Sequence, residues 1–108
     1  MKLGIILQTN KQEQVWNVLR LGITALKASH QVNIFLLSEG SELESIPDTQ
    51  NFDISAKVKE FKELKGEIYA CGTCLKMRGK EESNVCPVST MSDLLKLIET
   101  SDKVLTFG

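Results

Sequence analysis

This 108-residue sequence has little net charge, no long apolar run and no internal repeat. Its 13 Lys and Arg nearly balance 14 Asp and Glu, which gives a formal net charge of −1. Because the net charge is close to zero, neither nucleic acid nor an anionic membrane is expected as a partner. The N-terminal apolar run Leu3–Leu7 is too short for a secretory signal or a membrane-spanning helix. We therefore expect a cytoplasmic protein.

Histidine and cysteine are scarce as well. The chain has one histidine and three cysteines, and an odd cysteine count in a cytoplasmic protein favours reactive thiols or a metal site over a disulfide framework. Hydrophobic residues make up 42% of the sequence and charged residues 25%, which are ordinary values for a globular protein. We expect a single domain over residues 1–108, large enough to bury a modest core.

Apolar runs alternate with amphipathic stretches along the chain. Short apolar segments predict strands at Leu3–Leu7, Val32–Leu37, Glu67–Cys71, Val85–Val88 and Lys103–Phe107. Apolar residues at helical spacing lie between most of them. This repetition predicts an α/β fold in which parallel strands are joined by right-handed helical crossovers. Pro87 cannot donate a backbone hydrogen bond, so the fourth strand should lie at an edge of the sheet.

Capping residues and glycines mark the predicted helix ends. The expected N-caps are Asn10 (with Glu13), Asp53 and Thr90 (with Asp93), and the expected C-terminal stops are Gly66 and Gly79. Ser38–Phe52 is predicted to be a loop with one possible helical turn near Glu42–Ser45, and Lys80–Asn84 a polar turn. The acidic part of the loop, Glu39–Asp48, is expected to be a solvated connection that could shape access to the reactive end of the sheet or meet a partner. An apolar stripe of the last helix should face the sheet, and it consists of Met91, Leu94, Leu95 and Ile98.

The most informative stretch is Tyr69–Gly79, which holds two of the three cysteines as Cys71-x-x-Cys74. A buried strand is predicted to end at Cys71, Gly72 gives the chain freedom to turn, and a short helix should end at Gly79. Cys74 would then lie in the first helical turn. Unpaired backbone N–H groups and the positive end of the helix dipole gather at such a position.

Positive charge is also expected around this pair. Lys76 and Arg78 follow closely in the sequence, and cations near a thiol favour the thiolate, which is the reactive form. We expect Cys71 to be the more exposed, attacking thiol and Cys74 its resolving partner. These two cysteines are the predicted catalytic residues, and no metal or cofactor is predicted.

Other interpretations of the pair stay open. A thioredoxin-like oxidoreductase fits less well, because its motif follows one βαβ unit and this one follows the third strand. Zinc needs four ligands, yet His30 and Cys86 are expected at the opposite end of the sheet. The plain alternative is two small residues that fill space, since cysteine packs as a small hydrophobe. A dithiol redox or metal-binding module and a non-catalytic assembly subunit therefore remain beside a sulfur-handling role.

With its elements in this order, the chain resembles the DsrE/DsrF-like family, which includes TusD-like sulfur-relay proteins. The resemblance covers nearly the whole chain and is carried by Leu3–Leu7, Asn17–Leu26 with Val32–Leu37, Tyr69–Cys71 with Arg78-Gly79, and Ser92–Leu95 with Asp102–Leu105. The strand-end cysteine followed by Arg-Gly is its most specific part. The family resemblance implies a three-layer α/β/α fold with a five-stranded parallel sheet ordered 4-3-2-1-5.

The resemblance also implies a function. In relay members the cysteine that matches Cys71 carries a persulfide that passes between proteins, so we expect a sulfur carrier or sulfurtransferase with sulfur donor and acceptor proteins as partners. Cys74 departs from the family pattern, where a small apolar residue is usual, and adds a thiol able to resolve the persulfide or share a metal. The supporting candidates are Asn10, Gly72, Thr73, Lys76 and Arg78.

Assembly is expected on two grounds. The family resemblance implies a homo-oligomer, a trimer or a hexamer. In the 4-3-2-1-5 order, right-handed crossovers also leave the last helix, Met91–Thr100, alone on one face of the sheet. A parallel sheet needs both faces covered, and one short helix cannot cover five strands.

Overall fold

The structure, a computed structural model, describes residues 1–81, 83 and 86–108. The strands are β1 (Lys2–Leu7), β2 (Gln31–Leu36), β3 (Glu67–Cys71), β4 (Val88–Ser89) and β5 (Lys103–Phe107). The helices are α1 (Gln12–Lys27), α2 (Ile54–Glu63), α3 (Gly72–Met77) and α4 (Met91–Thr100), and a 3₁₀ segment covers Ser38–Ser45. No helix among the described residues is both long and apolar enough to cross a membrane.

The five strands form one parallel sheet in the order β4-β3-β2-β1-β5. The predicted α/β fold and the 4-3-2-1-5 order are therefore confirmed. β1 pairs with both β2 and β5, so that Ile5 lies between Ile34 and Leu105. The carboxyl ends of β1, β2 and β3 lie side by side, and the segments that follow them meet at one edge of the sheet.

The larger core lies between the sheet and the helix pair α1 and α2. Side chains alternate along a strand, and Leu3 and Ile5 point to this face. Phe61 of α2 is fully buried here, and its ring lies against two glycines. A Cβ on Gly22 would come within 2.7 Å of the ring and one on Gly66 within 2.4 Å. The two glycines thus allow α2 to close against α1 and the sheet.

The opposite face carries α4, so the sheet has helices on both sides and the three-layer arrangement is confirmed. α4 buries Leu94 and Leu97. Leu97 lies so close to β1 that a Cβ on Gly4 would come within 2.7 Å of its Cδ2 atom. An open groove of about 320 Å³ remains on this face, bordered by α4 and by Phe35 and Tyr69 of β2 and β3.

The predicted apolar stripe of α4 is wrong for three of its four residues. Met91, Leu95 and Ile98 are 60%, 56% and 41% exposed, and only Leu94 is buried. The close contact of Leu97 with β1 sets the rotation of the helix, so the face centred on Leu94 and Leu97 meets the sheet. The remaining apolar residues point away from the sheet.

The predicted capping box of α1 is also wrong. The helix begins after Lys11, and no side chain caps it. Asn10 donates its amide hydrogen bond to Glu42, so it is engaged by tertiary structure and not by Glu13 or the helix.

The two later N-caps differ from each other. Asp53 occupies the N-cap position of α2, but its side chain makes no cap hydrogen bond. Its carboxylate instead accepts a hydrogen bond of 2.8 Å from Trp16 Nε1 of α1. Thr90 and Asp93 form both hydrogen bonds of the predicted capping box at α4, which is confirmed.

The predicted C-terminal stop of α3 at Gly79 is confirmed, whereas the left-handed residue that ends α2 lies one position before the predicted Gly66. Gly79 has φ 65°, and the N–H of Lys80 donates back to α3 at 2.9 Å, which is the expected Schellman geometry. At α2 the left-handed residue is Lys65, with φ 75°. Gly66 follows it and donates its N–H to the carbonyl of Phe61.

Two segments differ from the prediction in extent. The 3₁₀ segment Ser38–Ser45 confirms the possible helical turn near Glu42–Ser45 but begins earlier, and it buries Gly40, Ser41 and Leu43, so the expectation of a solvated connection is wrong for this part. β4 is only Val88–Ser89, although its edge position is confirmed and the carbonyl of Pro87 accepts from Ala70 at 2.9 Å. Glu82 and Asn84, which were expected in the preceding turn, and Val85, which was expected in this strand, lie outside the described residues.

Candidate functional site

The candidate site lies at the junction of β3 and α3. Cys71 is the last residue of β3 and the N-cap of α3, and Cys74 follows in the first turn of that helix. Both thiols are free. In the sheet, β3 lies beside β2, and β2 lies beside β1. The segments that follow these three strands therefore meet around the junction. The predicted order of strand, cysteine and helix is confirmed.

Gly72 serves close packing here and not a left-handed turn. A Cβ on Gly72 would come within 2.9 Å of Val88 Cγ1. Its φ does not lie in the left-handed region, unlike those of Gly79 and Gly108. The expectation that Gly72 supplies conformational freedom is therefore wrong, and its lack of a side chain lets β4 approach the cysteine junction.

The two thiols differ in exposure. Cys71 is only 4% exposed and packs on the α4 face with Phe35, Leu94 and Leu97. Cys74 is half-buried. Strand alternation directs Cys71 under α4, whereas Cys74 lies on the surface of α3. The expectation that Cys71 is the more exposed thiol is therefore wrong.

A backbone N–H is aimed at Cys74. Ser38 N–H donates to Cys74 Sγ at 3.3 Å. Ser38 has φ 51°, a left-handed conformation that non-glycine residues adopt infrequently. Ser41 holds this turn, since its hydroxyl donates to the Ser38 carbonyl at 2.6 Å. A donor at this position stabilises negative charge on the sulfur.

The Cys74 thiol is nevertheless harder to ionise than a free cysteine. Burial is the largest influence and raises its pKa. The Ser38 N–H opposes that rise, the hydrogen bond and charge of neighbouring Cys71 add to it, and Arg78 lowers it slightly. Because the net direction of the Cys74 pKa is upward, this thiol keeps its proton at neutral pH and can donate its S–H to the Cys71 sulfur.

A polar network lies next to Cys74. Arg78 donates from Nε to Glu42 Oε2 at 2.9 Å and from a terminal N–H to the Cys74 carbonyl at 3.2 Å. Asn10 donates from Nδ2 to the other Glu42 oxygen at 3.1 Å. The hydrogen bond from Arg78, followed by that from Asn10, lowers the pKa of Glu42. Glu42 therefore stays ionised and links the segments after β1, β2 and β3.

Thr73 and Lys76 take no part in this network. Both are exposed, and neither makes a side-chain hydrogen bond or ion pair with the part of the chain that the structure describes. Asn10 and Arg78 are brought to the site as predicted. Among the supporting candidates, the structure thus separates two network residues from a packing glycine and two surface residues.

Tyr69 lies on the same face as Cys71, two residues earlier in β3. Its hydroxyl donates to the Glu67 carboxylate. That hydrogen bond, with burial as a second cause, raises the pKa of Tyr69 to about 12. The phenol therefore stays protonated at neutral pH and does not act as a base toward the thiols.

Sequence reasoning missed Ser38 and Glu42. Both lie in Ser38–Phe52, which was predicted to be a loop, and neither was named as a candidate. The strand order 4-3-2-1-5 could have pointed to this segment, because it places the residues after β2 directly beside the end of β3. The strand order identifies the neighbouring segment, but it does not identify which atoms of that segment contact the thiol.

Cys86 and His30 lie apart from the site. Cys86 is buried in the larger core, and burial, followed by the charge of Glu44, raises its pKa to about 12. His30 Nδ1 lies 2.8 Å from the N-terminal amine, before β2 begins. Within residues 1–81, 83 and 86–108, no three His, Cys, Asp or Glu side chains are grouped so that they could hold a metal ion.

Comparison with known proteins identifies the family. The model of the DsrE/DsrF-like family matches residues 1–107. The chain belongs to this family. An uncharacterised protein of Methanocaldococcus jannaschii is 34% identical to this DsrE/DsrF-like chain over 103 residues, with 89% of each chain covered.

Solved structures share the DsrE-like fold. The YchN protein of Escherichia coli matches with a TM-score of 0.82 at 22% identity, covering 99% of this chain and 100% of its own. A conserved protein of unknown function from Bacteroides thetaiotaomicron matches with a TM-score of 0.78 at 18% identity, covering 98% and 94% respectively. At these identities the likeness concerns the fold.

Proposed function

We propose that this protein carries sulfur as a persulfide on Cys71, with Cys74 as a second thiol, in a cytoplasmic sulfur relay. The observation that carries the proposal is the pair of free, interacting thiols at the β3–α3 junction. Membership of the DsrE/DsrF-like family, a sulfur-relay-related family, supports it. The partners are a sulfur donor and a sulfur acceptor, each a thiol-containing protein or a small polysulfide.

Loading is a thiol exchange. The Cys71 thiolate attacks the outer sulfur of a donor persulfide, a new S–S bond forms, and the donor thiolate leaves. An acceptor thiolate then attacks the outer sulfur of the Cys71 persulfide, and Cys71 leaves as a thiolate. Each step exchanges one S–S bond for another, so no external oxidant or reductant is required.

Cys74 gives the site a second outcome. When Cys74 loses its proton, its sulfur can attack the inner sulfur of the Cys71 persulfide. A Cys71–Cys74 disulfide then forms and hydrosulfide leaves, so the cysteine pair is oxidised and the outer sulfur is reduced. Because the pKa of Cys74 is raised, this discharge is slow at neutral pH and faster in alkaline solution.

Intact mass spectrometry tests the proposal. The protein is measured as purified and after incubation with sodium polysulfide, with and without reductant. The expected result is a gain of one sulfur that reductant removes. A protein that never gains sulfur under conditions that load a known thiol carrier would contradict the proposal.

The same measurement distinguishes the alternatives. A dithiol redox module is the second candidate, since Cys71 and Cys74 contact each other. It would show loss of two hydrogens with no gain of sulfur at any time point, whereas in a carrier the gain of sulfur precedes the disulfide. A metal-binding module would show a mass that chelator removes. An assembly subunit without chemistry would show neither change.

Members of the DsrE family are commonly oligomeric. We propose that this chain forms a homotrimer or a hexamer that buries the exposed apolar residues of α4. Met91, Leu95 and Ile98 lie on the outer side of that helix, and the groove beside it leaves part of the sheet open. Covering both would complete the second face of the parallel sheet.

A further inference from the structure

Glu42 is the point where three segments of the chain meet at the cysteine site. One of its carboxylate oxygens accepts from Arg78 at the end of α3, and the other accepts from Asn10 after β1. Glu42 itself belongs to the 3₁₀ segment that follows β2, as does Ser38, whose N–H contacts Cys74. A single carboxylate therefore connects the backbone that contacts the thiol with the cation beside it.

The Arg78 side chain is held from two directions. Its Nε donates to Glu42, and a terminal N–H donates to the Cys74 carbonyl. The side chains of Arg78 and Glu42 are 26% and 31% exposed, so the pair is only partly screened by water. The guanidinium is thereby held next to Cys74, where its positive charge favours a thiolate, with a negative charge fixed directly beside it.

Among the described residues, three other titratable groups act on Cys74, on Arg78 or on Glu42. Cys71 faces Cys74 from β3, Glu39 of the 3₁₀ segment acts on Arg78, and Lys80 acts on Glu42. Glu39 and Lys80 act through charge alone, and neither they nor Cys71 makes a hydrogen bond to Arg78. Glu42 is therefore the acidic group whose removal should most change the position and the net charge of the cation held beside Cys74.

We infer that Glu42 is a positioning residue of the cysteine site: it orients Arg78 toward Cys74 and offsets its charge, and so limits how readily the thiol ionises. The consequence for sulfur discharge rests on the proposed function, because only a persulfide on Cys71 gives Cys74 something to attack. The effect on the thiol itself requires no sulfur chemistry.

The test compares isosteric variants in the full-length protein. Glu42→Gln keeps an oxygen that accepts from Arg78 Nε but removes the negative charge, so Arg78 should favour the Cys74 thiolate more strongly. Arg78→Gln removes the cation and should act in the opposite direction. Glu39→Gln is the matched control, since it removes a charge from the same segment without breaking a hydrogen bond to Arg78.

The readout is the pH profile of iodoacetamide alkylation, resolved for Cys74 by peptide mass spectrometry. Glu42→Gln should move the Cys74 profile to lower pH and raise its rate at pH 7 about threefold, since half a pKa unit is a factor of three. Arg78→Gln should lower that rate by a similar factor. Glu39→Gln should change it less than Glu42→Gln does.

Two results would overturn the inference: an unchanged Cys74 profile in Glu42→Gln, or a shift in the same direction for Glu42→Gln and Arg78→Gln, as general loosening would produce. The comparison of Glu42→Gln with Glu39→Gln remains decisive even if Arg78→Gln does not fold. No sulfur donor is present, so a protein that fails to load sulfur but shows these shifts refutes the proposed function and keeps the inference. The reverse pattern refutes the inference alone.

Discussion

The two faces of the sheet each bury a cysteine, but they bury it differently. On the α1–α2 face, Cys86 lies in the larger core. On the α4 face, Cys71 belongs to a small cluster and contacts the half-buried Cys74. One buried thiol thus lies in the larger core, and the other lies beside a second thiol that itself accepts a backbone N–H and has a cation next to it. Surroundings, and not residue type, decide which cysteine can react.

The largest expected difference between the faces is in sulfur loading. Cys71→Ala should abolish the gain of sulfur from polysulfide, because its thiolate is the proposed acceptor. Cys86→Ala, the matched control on the α1–α2 face, should load as the parent protein does. Intact mass spectrometry measures both. Equal loading of the Cys71→Ala and parent proteins would show that the reactive face has been assigned wrongly.

Cys74→Ala sharpens the same comparison. It should still load, because Cys71 is intact, and the persulfide should persist longer, because the thiol that discharges it has been removed. The decay of the loaded mass over time measures this. If the persulfide decays as fast in Cys74→Ala as in the parent protein, Cys74 does not discharge it and only packs beside Cys71.

Labelling should differ strongly between the faces without any sulfur donor. Burial raises the pKa of Cys86 to about 12, so at pH 8 it remains a thiol. Cys74 is half-buried and should be alkylated by iodoacetamide at least tenfold faster than Cys86. Peptide mapping over a time course gives both rates. Equal rates would mean that the larger core opens readily.

Assembly should depend on the α4 face of the sheet and not on the α1–α2 face. Leu95→Glu places a charge on the outer side of α4, where Leu95 is 56% exposed in the monomer, and should shift the proposed oligomer toward monomer. Ala56→Glu introduces the same charge on α2 and should leave the assembly unchanged. Light scattering at micromolar concentration measures the molar mass. A parent protein that is itself a 12.0 kDa monomer would contradict the oligomer proposal.

The smallest expected effect is on the pH dependence of stability. The folded-state pKa of Glu42 is lowered below 4.5, so its pairing with Arg78 stabilises the fold above that pH. The contribution is lost as the pH falls through the folded-state pKa. Thermal unfolding from pH 7 to pH 3 should therefore be slightly less pH-dependent in Glu42→Gln. An unaltered profile would mean that solvent screens the pair completely.

The alternation of strands and helices could be predicted because it depends on local pattern. Runs such as Leu3–Leu7 are apolar throughout, as buried parallel strands require. The Thr90–Asp93 capping box was predictable for the same reason, since its partners are three residues apart. Asn10 was predicted wrongly as a cap because its partner, Glu42, is distant in sequence. Local propensity cannot weigh a tertiary hydrogen bond against a local one.

By itself, the sequence determined the fold class, the strand-end position of Cys71 and the location of Cys74 one helical turn later. Those features follow from apolar periodicity and from the spacing of the two cysteines. Only the tertiary structure decided that Cys71 is the more buried thiol, that Ser38 donates to Cys74 and that Glu42 holds Arg78. These contacts join segments after different strands, and their geometry depends on how α4 and the 3₁₀ segment pack against the sheet.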